Sequence, residues 1–171
     1  MNVLEAATNW AKTEAVHSMF FTFFGVMFLM ISLGFWFLGK TDIAKAYIYP
    51  TLIVGSLLVL VGLGLFYSNY SRLSEFSNGF NENSETFVQS EINRVDKTLI
   101  GFKRTVYKII PLIIIVCSIV IIMLDKPIYR ATVISVIAMM IIIIIIDSNA
   151  IARLENYKKL LINKEETSTN N

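Results

Sequence analysis

The chain has 171 residues, of which 55% are hydrophobic and 16% are charged, whereas an ordinary soluble domain has about 45–50% and about 25%. The formal net charge of +2 gives no basis for nucleic-acid binding, which needs a strongly basic surface. Cys117 is the single cysteine, so a disulfide within these residues is excluded. The excess of apolar residues points instead to a membrane protein.

Four stretches without a charged residue are candidate membrane-spanning helices. Residues 18–39 and 46–71 contain 22 and 26 residues, and about 20 suffice to cross the hydrocarbon layer. Residues 109–124 and 131–146 contain 16 each, or about 24 Å of helix. These two span the layer only if flanking charges extend outward along flexible stems or the bilayer thins locally.

We therefore predict an all-α integral membrane protein with four transmembrane helices, arranged as two hairpins, and a small cytoplasmic helical cap. The predicted segments are an interfacial or cytoplasmic helix at 1–17, spans at 18–39, 46–68, 109–124 and 131–147, a cytoplasmic segment at 69–108 with a turn near 77–84, a cytoplasmic helix at 148–164 and a disordered tail at 165–171. The isoleucine run at 141–146 should be helical despite its preference for strands, because a lone strand in lipid leaves backbone groups unpaired.

Basic residues indicate the orientation. Eleven lysines and arginines lie on the side that holds both termini and the central segment, against four on the other side. Cytoplasmic segments carry the excess of such residues, so both termini should be cytoplasmic. Trp10, Tyr107 and Tyr157 fall near the inner ends of spans, where they are expected to belong to an interfacial aromatic belt.

An apolar seam runs along the cytoplasmic segment before the third span, with spacings of four and three residues that are typical of a heptad repeat. After the turn, Ser84 is expected to cap this helix. The seam could form a coiled coil, lie on the membrane surface or pack within the chain, and we favour packing within the chain. It is also our candidate interaction site, and its residues are Val88, Ile92, Val95, Leu99, Phe102 and Val106.

Glycines in the first two spans are the candidate helix-packing residues, because glycine lets helix backbones approach closely. We expect this packing to lie within one chain rather than between copies. The residues are Gly25, Gly34, Gly55 and Gly62.

Residues 34–41, GFWFLGKT, match the phosphate-loop pattern letter for letter. A phosphate loop works by presenting backbone N–H groups between a strand and a helix in water, whereas this segment should be membrane helix. Asp147, the aspartate such a site would need, should lie at the opposite membrane face from Lys40. We therefore expect no nucleotide, and Lys40 is interpreted as an interfacial anchor.

Residues for other chemistry are sparse. His17 is the single histidine, and a zinc site would need three or four ligands. We find no nucleophile beside a base and no carboxylate pair within a span. No catalytic residue, cofactor or metal is therefore predicted.

No family motif is present, but in size and four-span layout the chain is similar to the membrane immunity proteins that protect bacteria from pore-forming toxins. The leading hypothesis is a non-enzymatic protein of a bacterial inner membrane, an accessory subunit or an immunity-type protein. It would bind a protein partner, or further copies of itself, through its spans or cytoplasmic helices. The alternative is an oligomeric channel or small transporter, with a path lined by Thr22, Ser32, Ser56 and Ser118.

Overall fold

The computed structural model describes the backbone of residues 3–169 and the side chains of residues 3–164. Within that range the fold is all-helical, and short connections separate the elements. The helices are α1 (Val3–Leu38), α2 (Asp42–Ala46), α3 (Ile48–Glu82), α4 (Ser84–Arg104), a π-helical turn (Thr105–Ile109), α5 (Ile110–Met123) and α6 (Pro127–Thr169).

Four helices are long and apolar enough to cross a membrane, namely Val3–Leu38, Asp42–Glu82, Ser84–Met123 and Pro127–Lys164. Each contains one of the predicted spans to within one residue, and the isoleucine run at 141–146 is helical. The predicted helices at 1–17 and 148–164 are not separate elements, because α1 and α6 continue from the spans without a break. The helix bounded by Ser84 and Met123 is likewise continuous, through its π-helical turn.

α1 and α3 form a tightly packed antiparallel hairpin, and the short helix α2 connects them. Thr41 is the N-cap of α2, and its hydroxyl accepts a hydrogen bond from the backbone N–H of Ala44 at 3.1 Å. Across the hairpin, the hydroxyl of Ser32 donates to the backbone carbonyl of Ile48 at 2.8 Å. A hydroxyl in an apolar setting needs such a partner, so this bond supports the hairpin near the connection.

α6 lies against the α1–α3 hairpin, and these three helices share an apolar core formed by Phe21, Val54, Leu58 and Ile146. α5 packs against α6 but makes no comparable contact with α1 or α3. Its large apolar side chains, such as Ile122 at 82% exposure, face outward. In water such a surface would be unfavourable, whereas in a bilayer lipid tails would cover it.

A second apolar core lies where the N-terminal part of α1, the C-terminal parts of α3 and α6, and α4 meet. We call this region, residues 3–17, 69–106 and 148–164, the cap. Its buried apolar residues are Ala6, Ala7, Ala11, Phe76, Phe87, Val88, Val95, Leu99, Val106, Ile151, Leu154, Tyr157 and Leu161.

The turn between α3 and α4 differs from the prediction. α3 remains helical through residues 77–82, and the chain breaks only at Asn83. The Asn83 side chain, rather than that of Ser84, caps α4 by accepting from the N–H of Thr86 at 3.0 Å. Packing explains the difference, because the ring of Phe87 stacks edge-on against Phe76 and Phe80 and holds the end of α3 in helical register.

The π-helical turn lies where the cap meets α5, directly before Pro111. Proline has no N–H and its ring crowds the carbonyl four residues earlier, which here is that of Tyr107. The wider turn, in which the N–H of Ile110 donates to the carbonyl of Thr105, relieves this crowding.

At the C-terminal end of α6, backbone helix continues through Thr169, within the predicted disordered tail. The end of that tail, residues 170–171, lies outside the described residues.

Candidate functional site

The candidate site is a buried cluster of charged and aromatic side chains in the cap, centred on Glu91 of α4. Glu91 is 3% exposed. Its carboxylate accepts from Nε and Nη2 of Arg94 at 2.8 and 2.6 Å, and from the hydroxyl of Tyr157 at 2.9 Å. Because a buried charge is costly unless it is paired and hydrogen-bonded, these three bonds offset the cost of burying the carboxylate.

Aromatic rings enclose the Arg94 guanidinium. Its central carbon lies 4.8 Å from the ring centroid of Trp10 and 6.0 Å from that of Phe76. Trp10 also stacks on Tyr157, with ring centroids 5.0 Å apart and planes inclined by 8°. A cation over an aromatic face is attracted by the ring quadrupole. The cluster therefore joins all four helices of the cap, since Trp10 belongs to α1, Phe76 to α3, Glu91 and Arg94 to α4, and Tyr157 to α6.

Burial sets the protonation of Tyr157. It raises the pKa of the phenol well above its ordinary range, and the neighbouring charge of Glu91 and the hydrogen bond to it act in the same direction. The hydroxyl therefore remains a donor to Glu91. Arg72 of α3 is also partly withdrawn from water, and burial together with the charge of Arg94 lowers its pKa.

A second ion pair joins the first and last helices beside this cluster. Nε and Nη2 of Arg153 donate to the two carboxylate oxygens of Glu14 at 3.0 and 3.1 Å. Both side chains are about four-fifths buried. A bidentate guanidinium–carboxylate pair fixes orientation as well as charge, so α1 and α6 are held in one register.

Two donors in the cluster, Nε1 of Trp10 and Nη1 of Arg94, are buried without a hydrogen-bond partner among the described residues. Nor does any group of three or more His, Cys, Asp or Glu in the described part come together to hold a metal ion. Glu91 is occupied by three donors, which leaves it poorly placed to act as a base. The arrangement is suited to positioning helices, since buried polar networks favour one packing over its alternatives.

The predicted seam lies inside the cap. Val88, Val95, Leu99 and Val106 are buried in its core, while Ile92 and Phe102 are half-buried against it. They contact helices of the same chain, which is the alternative favoured from the sequence. Binding of a partner by the seam residues stays a prediction.

The predicted packing glycines separate into two groups. A Cβ on Gly25 would lie 2.8 Å from the carbonyl oxygen of Gly55, and one on Gly62 would lie 2.6 Å from the backbone nitrogen of Thr22. These three glycines therefore allow α1 and α3 to approach closely. A Cβ on Gly34 would meet nothing within 4 Å, so Gly34 has no packing role within the described chain.

The residues of the phosphate-loop match do not form a loop. Residues 34–38 continue α1, and Gly39, Lys40 and Thr41 form the connection to α2. Lys40 is exposed at that end, whereas Asp147 lies in the part of α6 that approaches the cap.

The single histidine contacts its own helix. Nδ1 of His17 lies 2.8 Å from the carbonyl oxygen of Thr13.

The buried cluster around Glu91 was not predicted from the sequence. Glu91 lies three residues after Val88 and four before Val95, which places a carboxylate on the same helix face as the seam. That position was the available signal for a buried ion pair. Trp10 and Tyr157 were assigned to the interfacial belt, but they stack on each other in the cap, where Tyr157 is 3% exposed.

Comparison with known proteins adds no relative, because no protein-family model, curated protein or solved structure matches the chain. The function proposed below therefore rests on the chain's own residues.

Proposed function

We propose that the chain is a non-enzymatic, multi-pass protein of a bacterial inner membrane that binds a protein partner through its cap, as an accessory subunit or an immunity-type protein. The observation that carries this proposal is that the Glu91–Arg94–Tyr157 cluster and the Glu14–Arg153 pair fix four helices in the cap. A surface held rigid in this way loses little conformational entropy when a partner binds.

The charge of the cap surface supports the same proposal. At the far end of the α3–α4 hairpin, Glu82 and Glu85 are exposed on either side of Asn83, and neither forms an ion pair with another described residue. Like charges on an exposed tip favour a partner of opposite charge and exclude others. A basic segment of another protein is the complementary surface.

Two of the four hydroxyls that would line a channel bond to backbone carbonyls instead. Ser32 bonds across the hairpin to Ile48, and Ser118 bonds to the carbonyl of Ile114 in its own helix and faces outward. Thr22 packs against Gly62. These side chains have different neighbours on different helices, which favours the interaction hypothesis over a pore.

Site-specific photocrosslinking tests the proposal. A photoreactive amino acid at the exposed tip positions Asn81 and Thr86 should give one discrete adduct with another protein in cells. The matched control places it at Leu112 and Ile122, which are exposed on α5 and should give lipid adducts. A protein adduct from α5 alone would contradict binding through the cap.

The channel alternative is tested by ion flux in liposomes that contain the purified protein. We expect no flux above that of empty liposomes. Flux that Ser56→Leu abolishes would replace the interaction hypothesis with the channel. Gly55→Leu is unsuitable for this test, because the added side chain would clash with the backbone of Leu29 and unfold the hairpin.

Orientation is tested with single cysteines in a Cys117→Ser background. Asp42, Asn83 and Lys126 are all exposed, so only the membrane should decide their accessibility. Cysteines at Asp42 and Lys126 should react with an impermeant thiol reagent in intact cells, and one at Asn83 should react only after lysis. Labelling at Asn83 in intact cells would reverse the proposed orientation.

A further inference from the structure

The face of α4 that points away from the cap core is basic. Lys97, Arg104 and Lys108 are exposed, and their spacings of seven and four residues place them on one side of the helix. The seam residues Val95 and Leu99 lie on the other side, buried against the rest of the cap. The basic residues therefore face the surroundings of the protein.

These three charges differ from the basic residues at the contact between α4 and α6. Lys103 pairs with Glu155 at 2.6 Å, and Lys158 pairs with Asp96 at 2.5 Å. None of Lys97, Arg104 and Lys108 forms an ion pair with a carboxylate in the part of the chain that the structure describes. No carboxylate of the described residues neutralises them, so they are available to an anion from the surroundings.

The distance of these residues from the apolar segment, measured along the helix axis, indicates which anion they meet. The charge-free segment begins at Ile109 and continues through α5, whose apolar side chains face outward. At 1.5 Å per residue, Lys108 lies about 2 Å and Arg104 about 8 Å before Ile109. The headgroup layer is about 5–8 Å thick on each side of the hydrocarbon. Tyr107, 63% exposed between them, is the amphipathic residue type found at this level.

We propose that Arg104 and Lys108, with Tyr107, form a binding site for the phosphate of an anionic phospholipid in the leaflet next to the cap. This inference rests on the membrane location in the proposed function. Lys97 lies about 18 Å before Ile109 along the helix. That distance exceeds the Debye length of about 8 Å at physiological ionic strength, so Lys97 contributes little and serves as a control.

The test uses the purified full chain in a neutral detergent, titrated with phosphatidylglycerol or with phosphatidylcholine, and lipid binding is counted by native mass spectrometry. Wild type should prefer phosphatidylglycerol. Each juxtamembrane charge contributes about a fivefold preference, so Arg104→Gln/Lys108→Gln should reduce it about 30-fold. Lys97→Gln should retain it. Lys103→Gln, which removes a paired lysine from the same part of α4, should also retain it.

Three outcomes would overturn the inference. The double variant could keep the wild-type preference, Lys97→Gln or Lys103→Gln could lose it to the same extent, or wild type could show none. Extraction of cell membranes with alkaline carbonate separates these results from a failure of the proposed function. A protein that stays in the membrane without lipid preference refutes the lipid site alone, whereas a protein released by carbonate refutes the membrane location as well.

Discussion

Replacing Gly62 with alanine should destabilise the α1–α3 hairpin, whereas the same change two residues later should not. A Cβ on Gly62 would lie 2.3 Å from Oγ1 of Thr22 and 2.6 Å from its backbone nitrogen. Since the second contact is with backbone, a rotation of the Thr22 side chain cannot relieve it. Either α1 and α3 separate locally or the new methyl group remains compressed.

The size of the effect follows from the kind of contact. Overpacking in a well-packed interior costs about 1–3 kcal/mol, which corresponds to a change of about 5- to 150-fold in the folding equilibrium constant. Gly64 is the control, because a Cβ there would meet nothing within 4 Å. Gly64→Ala should leave stability unchanged or raise it by about 0.5–1 kcal/mol through the loss of glycine's backbone freedom.

Unfolding of the two variants by sodium dodecyl sulfate, added to protein in mild detergent micelles, measures the difference directly. A Thr22→Ala background provides a further comparison. It removes the hydroxyl but leaves the backbone nitrogen, so Gly62→Ala should still destabilise the protein, by a smaller amount. Equal stability of Gly62→Ala and Gly64→Ala would refute the close approach of the two helices at this point.

Three further predictions concern the cap and the phosphate-loop match. Glu91→Gln leaves the partly buried guanidinium of Arg94 without its counterion and should cost about 3 kcal/mol, whereas Glu155→Gln, which breaks an exposed pair, should hardly change the melting temperature. Because burial raises the pKa of Tyr157, the stability that this residue contributes is complete below the ordinary tyrosine pKa of about 10 and falls as the pH rises further. Tyr157→Phe should therefore show a shallower loss of melting temperature than wild type between about pH 9 and about pH 11. Lys40→Ala should leave the melting temperature unchanged, and wild-type protein purified in the presence of ATP should retain none; stoichiometric ATP lost in the variant would contradict the interfacial role.

The four long apolar helices could be predicted from the sequence, because a charge-free stretch of this length has few uses other than as an apolar helix. The seam on α4 could also be predicted, since its spacing is independent of what covers it. The end of α3 could not. Its Ser, Asn and Gly residues favour a turn. That preference is overridden only by the contact of Phe87, on α4, with Phe76 and Phe80, on α3.

The buried cluster was harder to predict because its members come from four distant parts of the chain. Tyr157 is 66 residues from Glu91, and Arg153 is 139 residues from Glu14. Each residue alone is unremarkable near a membrane interface. A single sequence records the spacing along one helix but not which face of another helix will lie opposite, so the pairing became visible only with the fold.

The cap also has a consequence for the order in which the protein matures. Trp10 belongs to the first helix and Tyr157 to the last, so the ring stack and the third hydrogen bond to Glu91 cannot form until α6 has been synthesised. Until then the apolar face of α4, with Val95 and Leu99, stays open to water. A nascent chain stalled within α6 would thus lack the packed cap, and would present to chaperones and proteases the exposed hydrophobic surface by which they select unfinished proteins.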